Sequence, residues 1–384
     1  MGFDQKTGSK TATAEALWTQ YRDEFPVAQN LVYLNHAAVA PLPRRTARAM
    51  QELAEDALQF GSLHYDRWLD AYENLRVAAA RLIGANRSEI ALVKNTSEGI
   101  SMIAQGLGWR PGDRIVAFRE EFPANYYPWL RLEAQRCSVD WLSVDDPLEK
   151  IEIACTGAKL LSISFVQYLN GFRADLNAIG AICKRHHCFF FVDAIQGLGA
   201  FPLDVEAAHI DALAADGHKW LLGPEGCGIL YVRKSRQDSI FPEEFGWTTV
   251  AGYNDYASRD MTLRQDAGRY ECGTLNTIGC FGLRASIELL LEAGVERIAP
   301  AVQSLADQLA AGAVDKGYQL LGDRTQENGA GIIAIQKPGI DSRKIVHDLK
   351  QKGIIAAPRQ GWIRLSPHFY ISPEDIDRVI EALP

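Results

Sequence analysis

The chain has 384 residues, 47% hydrophobic and 23% charged, the composition of an ordinary soluble globular protein with room for one large core or two domains. Its 40 basic against 48 acidic side chains give a net charge of -8 without a basic stripe, which argues against nucleic acid as the main partner. Seven scattered cysteines with no C-x-x-C pair suggest neither a metal site nor a redox dithiol, and no apolar signal core or membrane-length run stands out, so a cytoplasmic protein is expected.

Residues 1–11 read as disordered, and 12–25 has helical spacing with Leu17, Tyr21 and Phe25 on one face. A short strand at 31–34 enters Asn35-His36-Ala37-Ala38 and a turn at Pro41 and Pro43. Two long helices follow at 44–60 and 65–83, the second closed by Gly84. Strands and helices then alternate. Strands are expected at 90–93, 114–118, 139–144, 160–165 and 188–192, and helices at 98–107, 125–135 and 176–185. A further apolar strand stops at Asp216, and a glycine-rich turn leads to another strand at 228–232. This alternation predicts an α/β fold with a mainly parallel sheet covered by helices on both faces.

The polar, aperiodic stretch 234–272 reads as a long functional or interfacial loop. Beyond it, helices at 278–293, 295–314, 342–351 and 373–383, with strands at 331–336 and 362–365, predict a smaller α+β unit. The expected division is an arm at 1–30 packing on the small domain, a large domain at 31–277 and a small domain at 278–384.

In such sheets ligands bind beyond the carboxyl ends of the strands. The segment Asp216-Gly217-His218-Lys219-Trp220 places Lys219 at the end of a buried strand. An ammonium there is costly unless paired or deprotonated, which makes Lys219 a candidate Schiff-base amine, though an ordinary strand-end lysine fits as well. Asp193 ends the apolar run 188–192, and a carboxylate in that place needs a cation or donors. A Mg²⁺ ligand is one reading, but no G-x-x-x-x-G-K-[ST] loop accompanies it, and no G-x-G-x-x-G follows a strand. A protonated ring nitrogen is the other. Lys219 and Asp193 together suit pyridoxal phosphate, which needs an amine for its aldehyde and an anion for its pyridine nitrogen. Asn95-Thr96-Ser97-Glu98, opening a helix, offers either a phosphate cradle or a capping box, or both. Phe122 could cover a planar cofactor or be ordinary core. Arg364, between apolar residues on a strand, could take a carboxylate or simply face solvent.

The segments Asn95-Thr96-Ser97-Glu98, Glu121-Phe122-Pro123-Ala124-Asn125, Val192-Asp193-Ala194-Ile195-Gln196, Asp216-Gly217-His218-Lys219-Trp220, Glu271-Cys272-Gly273-Thr274-Leu275-Asn276 and Arg364-Leu365-Ser366 occur in this order. In them the chain resembles class V aminotransferase-type enzymes of fold-type I, the group of cysteine desulfurases, kynureninase and isopenicillin N epimerase. The likeness runs from Tyr33-Leu34-Asn35-His36 to the last helix. It implies pyridoxal 5'-phosphate as cofactor, a seven-stranded type of sheet in the large domain, and a homodimer with shared active sites. By motif it makes Lys219 the cofactor-bearing lysine and Asp193 the partner of the pyridine nitrogen. Gln196, and in the place of an asparagine Tyr168, would lie near the ring oxygen, with Phe122 stacking on the ring. Thr96, Ser97 and His218 would hold the phosphate, with Thr274 reaching it from a second subunit. Arg364 would bind the substrate carboxylate, with Asn35 and His36 beside the substrate.

The resemblance implies an enzyme acting at the α-carbon of an amino acid, with transamination as the lead reaction and epimerisation or C–S/β-elimination as the alternative. A non-enzymatic scaffold or a nucleotide-binding regulator is the contrasting class, disfavoured by the intact Lys219, Asp193 and Arg364. Two departures stand out. Asp216 replaces the serine that desulfurases carry near the phosphate, so its carboxylate is expected to turn elsewhere. No cysteine lies in 353–363, where a desulfurase needs a thiolate, so persulfide chemistry is disfavoured.

Overall fold

The computed structural model describes residues 16–384, so the disorder expected at 1–11 and the first residues of the 12–25 helix lie outside it. A seven-stranded sheet forms the centre, in the order Ile90–Val93, Gly228–Val232, Ala212–Asp216, Phe189–Asp193, Leu160–Ser164, Arg114–Phe118 and Ser138–Leu142. Only Gly228–Val232 runs against its neighbours; the others are parallel. Strands of this kind are covered on both faces, which is why they are apolar throughout rather than alternating. Phe189–Asp193 shows the division. Phe190 and Val192 enter one core, and Phe189 and Phe191 the core on the other face.

Helix Thr96–Gly106 lies against this sheet because Gly99 has no side chain: a Cβ there would stand 2.8 Å from that of Ala214. That close approach brings the first turn of the helix to the end of strand Ala212–Asp216. The helix begins at Asn95, whose Oδ1 accepts from the Glu98 amide at 2.9 Å.

A second, antiparallel sheet runs Ala357–Arg359, Trp362–Leu365, Ile333–Gln336, Gln319–Leu320. Helices Val295–Asp315, Ser342–Gln351 and Pro373–Ala382 accompany it. The N-terminal segment joins this unit. Val32–Tyr33 pairs in parallel with Ile354–Ile355, Phe25 stacks on Tyr370 at 3.8 Å between centroids, and Arg22 reaches Asp375 at 2.7 Å. A boundary at residue 31 therefore falls at the edge of a two-stranded ribbon rather than between units.

Other departures from the sequence reading have local causes. The helix expected at 125–135 is split into Pro123–Asn125, Tyr127–Arg131 and Leu132–Gln135, with Pro128 lacking the amide a continuous helix would need. Helix Leu148–Cys155 went unassigned because two turns give too few apolar positions for a period. Strands of two or three residues such as Ile354–Ile355 carry no alternation to read. The stretch 234–272 is mostly irregular, with 3₁₀ turns at Lys234–Ser239 and Ala267–Tyr270 that tie together through Arg269 to Asp238 at 2.8 Å. Among the described residues no helix is long and apolar enough to cross a membrane.

Candidate active site

A cavity of about 380 Å³ opens at the carboxyl ends of the central strands. Its walls bring together Thr96 and Ser97, Phe122, Ser164 and Tyr168, Asp193 and Gln196, Asp216, His218 and Lys219, and Arg359 with Arg364 from the second sheet. A larger cavity, about 640 Å³, lies elsewhere, between helix Tyr65–Ile83 and the segments around 175 and 204; it mixes Arg81 and Arg173 with Asp175, Asp204 and Glu296. It contains no lysine and none of the candidate site residues, so the smaller cavity is the chemical one.

Lys219 Nζ lies 5.7 Å from the centre of the Phe122 ring, and no carboxylate comes within 4.0 Å of it among the described residues. Burial lowers its amine to about 8, with Asp193 opposing the shift and Arg364 adding to it. Burial likewise pushes the Asp193 carboxyl up to about 6, against a hydrogen bond from the Ile195 amide to Oδ1 at 3.1 Å. Behind Asp193 stands a second buried carboxyl. Glu121 Oε1 accepts from the Ser164 amide at 2.7 Å and from Gln167 Nε2 at 2.9 Å, and Ser164 Oγ bonds its other oxygen. Burial raises Glu121 to about 7, and the nearby Asp193 charge adds to the rise.

The strand end at Asp216 is knotted to the helix. Its amide donates to Thr96 Oγ1 at 2.9 Å, and its Oδ1 accepts from the Gly217 amide at 2.7 Å. Oδ2 stands 3.0 Å from His218 Nδ1. Arg364 is buried on its strand and donates through Nη1 to the Tyr168 carbonyl at 2.8 Å, while its Nε is buried without a partner among the described residues. Burial, with Arg359 nearby, lowers its guanidinium to about 10.

The matched sequence model is that of aminotransferase class-V, over residues 32–379. The chain belongs to the aminotransferase class-V family. It is a pyridoxal phosphate-dependent enzyme with a fold-type I architecture. It is 31% identical to an uncharacterized aminotransferase, YcbU, of Bacillus subtilis, over 96% of this chain and 98% of that one. It is 30% identical to a probable cysteine desulfurase of Methanothermobacter thermautotrophicus, over 94% and 96%. An apo cysteine desulfurase from Thermococcus onnurineus NA1 has the same fold at a TM-score of 0.88 and 26% identity, covering 96% of this chain and 98% of that one.

The residues of this class-V site fit the cofactor. An amine, a buried carboxyl without a cation within 4.0 Å, a 47% exposed phenyl ring and the start of an eleven-residue helix share one cavity. Each would suit a different part of pyridoxal phosphate: its aldehyde, ring nitrogen, ring face and phosphate.

The expected residues distribute unevenly. Lys219, Asp193, Thr96, Ser97, Phe122, Tyr168, Gln196, His218 and Arg364 all line the cavity. Gln196 is pinned at both ends, donating to the Ala37 carbonyl and accepting from Trp220 Nε1, each at 2.9 Å. The Tyr168 hydroxyl accepts from Gln360 Nε2 at 2.8 Å. His36 does not line the cavity. It is sealed in the interior with Nδ1 at 2.7 Å from the Ser366 carbonyl and Nε2 at 2.9 Å from the Tyr370 hydroxyl, and burial lowers its ring to about 4. Asn35 also stays off the lining, bridged to Ser366; Ala37, Ala38 and Val39 form that wall instead. Thr274 lies in a separate cavity with Arg76, Trp247 and Glu271. Asp216, expected to turn away, remains on the wall and faces His218. Arg359 was missed; its nearness to Arg364 in sequence was the available signal. Glu121 was read only as part of a motif, and nothing local distinguishes it from a surface glutamate.

Proposed function

We propose that the enzyme acts at the α-carbon of an amino acid, with transamination as the lead reaction, in a homodimer where Thr274 of one subunit completes the phosphate site of the other. The observation that carries this reading is a lysine amine lowered to about 8 in one cavity with a buried carboxyl and a guanidinium whose Nε has no partner.

Pyridoxal phosphate, when bound, supplies an aldehyde for the amine and a ring that accepts electron density. Thr96, Ser97 and His218 would hold its phosphate, Asp193 its ring nitrogen, and Phe122 its ring face. Arg364, fixed through Tyr168, offers a charge-assisted donor set for the substrate carboxylate and so fixes the orientation of the substrate Cα. Lys219, partly neutral near pH 8, can take the proton from that carbon as a general base. Phe122 and Tyr168, edge to face at 5.2 Å, narrow access for water from their side.

Elimination or epimerisation is the second reading. Tyr168 lines the same cavity and offers a second proton-bearing group, as protonation of a leaving group or of the opposite face would require. A protein persulfide is disfavoured, since none of the seven cysteines lies on the cavity wall.

The test uses protein reconstituted with cofactor. Transamination requires a substrate-driven change of the visible spectrum that a keto acid reverses, with a new amino acid formed. Pyruvate released with ammonia or sulfide, or inversion without keto acid, would replace it by the second reading. A reconstituted protein with no visible band dependent on Lys219 would refute both.

A further inference from the structure

At the amino end of the central strand Phe189–Asp193, opposite the end that opens on the cavity, three thiols meet. Cys155, Cys183 and Cys188 are buried, and their Sγ atoms all lie within 4.8 Å of one another. Sequence spacing concealed them, because Cys155 is remote from a pair separated by four residues.

The backbone preorganises that pair. Helix Leu176–Arg185 ends in a Schellman motif, with the Cys188 amide donating to the Cys183 carbonyl at 2.9 Å and the His187 amide to the Lys184 carbonyl at 3.3 Å. His187 takes the left-handed conformation this requires, φ 53°, without being glycine. Such a motif brings the two flanking side chains together, and here both are thiols. Cys155 is the last residue of helix Leu148–Cys155, which packs on helix Leu176–Arg185.

Two helix C-termini therefore converge on the cluster. Their negative ends disfavour free thiolates and favour a cation. Three sulfurs bound to one zinc-sized ion at ~2.3 Å stand ~4 Å apart, within the spread found here.

We propose that Cys155, Cys183 and Cys188 form a binding site for one thiophilic cation of the zinc(II) class, separate from the cofactor cavity. Binding joins the ion to three sulfurs and releases the thiol protons to solvent; no redox change is involved.

The experiment uses the full chain, reduced and freed of metal, titrated with zinc(II) against a chelating indicator and with cadmium(II) for its thiolate absorbance. The expected result is one equivalent bound, with at least a tenfold loss of affinity in Cys183→Ser and in Cys188→Ser and no change in Cys227→Ala. Far-UV circular dichroism checks that the variants fold. If they do not, X-ray absorption at the zinc edge of the wild-type protein decides, with three sulfur neighbours expected near ~2.3 Å. No uptake by the wild type, uptake unchanged in folded Cys183→Ser, or a shell of nitrogen and oxygen alone would overturn the assignment.

Discussion

Replacing Asp193 with asparagine should make the cofactor-free protein more stable at neutral pH, although it removes the proposed partner of the ring nitrogen. Burial raises the Asp193 carboxyl from its ordinary 3.8 to about 6. Between those values the unfolded chain has lost a proton that the folded protein keeps. Stability therefore falls as pH rises through this window, and the full loss is present above pH 6. A difference of about two units at ~1.36 kcal/mol each gives ~3 kcal/mol. Asparagine matches the shape, keeps the acceptor for the Ile195 amide and carries no charge to desolvate. Urea unfolding of both cofactor-free proteins at equal concentration, from pH 4 to pH 8, reads the effect. Asparagine should gain little at pH 4, with the gain growing to ~3 kcal/mol by pH 7 as a ceiling. A variant less stable at pH 7.5, or a difference that does not change with pH, would refute burial as the cause of the shift. With cofactor present the order should reverse, because the variant lacks the anion that the ring nitrogen needs.

Selective amine labelling of the cofactor-free protein, read by mass spectrometry, should show Lys219 titrating near 8, lower in Asp193→Asn and higher in Arg364→Met; a midpoint near 10.5 in the wild type would contradict the geometry. Thr96→Val leaves the buried Asp216 amide without its acceptor and should cost ~1–3 kcal/mol in denaturant unfolding, whereas Thr96→Ser should cost far less. Arg359 lines the cavity, and its Nη1 donates to the adjacent Pro358 carbonyl at 3.0 Å. Arg359→Ala should lower kcat/KM at least ~10-fold for amino acids with an acidic side chain and hardly alter it for alanine or serine; equal losses for both classes would remove Arg359 from substrate recognition. Glu271→Ala leaves buried Arg76 with only the half-exposed Glu73 as partner, and the Leu92 amide without its acceptor, and should destabilise the protein by ~1–3 kcal/mol, measured at a pH where the wild type is fully folded.

What the sequence made legible was the set of strand ends. A run such as Phe189–Asp193, apolar until a carboxylate interrupts it, declares both its burial and the point where its chemistry begins. The same holds for Ala212–Asp216 and the lysine beyond it. What stayed hidden depends on contacts between distant segments. Nothing near Val32 announces a partner at Ile354, and nothing near His36 shows that Ser366 and Tyr370 will occupy both ring nitrogens. Asp216 seemed anomalous beside a phosphate because only the strand was visible. In three dimensions the Gly217 amide and His218 face its carboxylate, and its own amide fixes Thr96, 120 residues away.

The ionisable groups in and behind the cavity form an ordered series, with Asp193 near 6, Glu121 near 7 and Lys219 near 8. The order has a physical basis. Glu121 feels the charge of Asp193 because Asp193 ionises first, whereas Asp193 titrates beside a Glu121 that is still neutral. Ionisation of the inner pair thus begins on Asp193, the residue that lines the cavity. Ser164 joins the two, bonding Glu121 through its amide and hydroxyl while its backbone pairs in register with Asp193. Glu121→Gln should preserve much of that bonding while removing a proton site. Asp193 would then hold its charge without a second anion forming behind it as pH rises toward 8. Near pH 8 Asp193 is ionised and Lys219 partly neutral, the two states that a ring-nitrogen partner and an attacking amine respectively require.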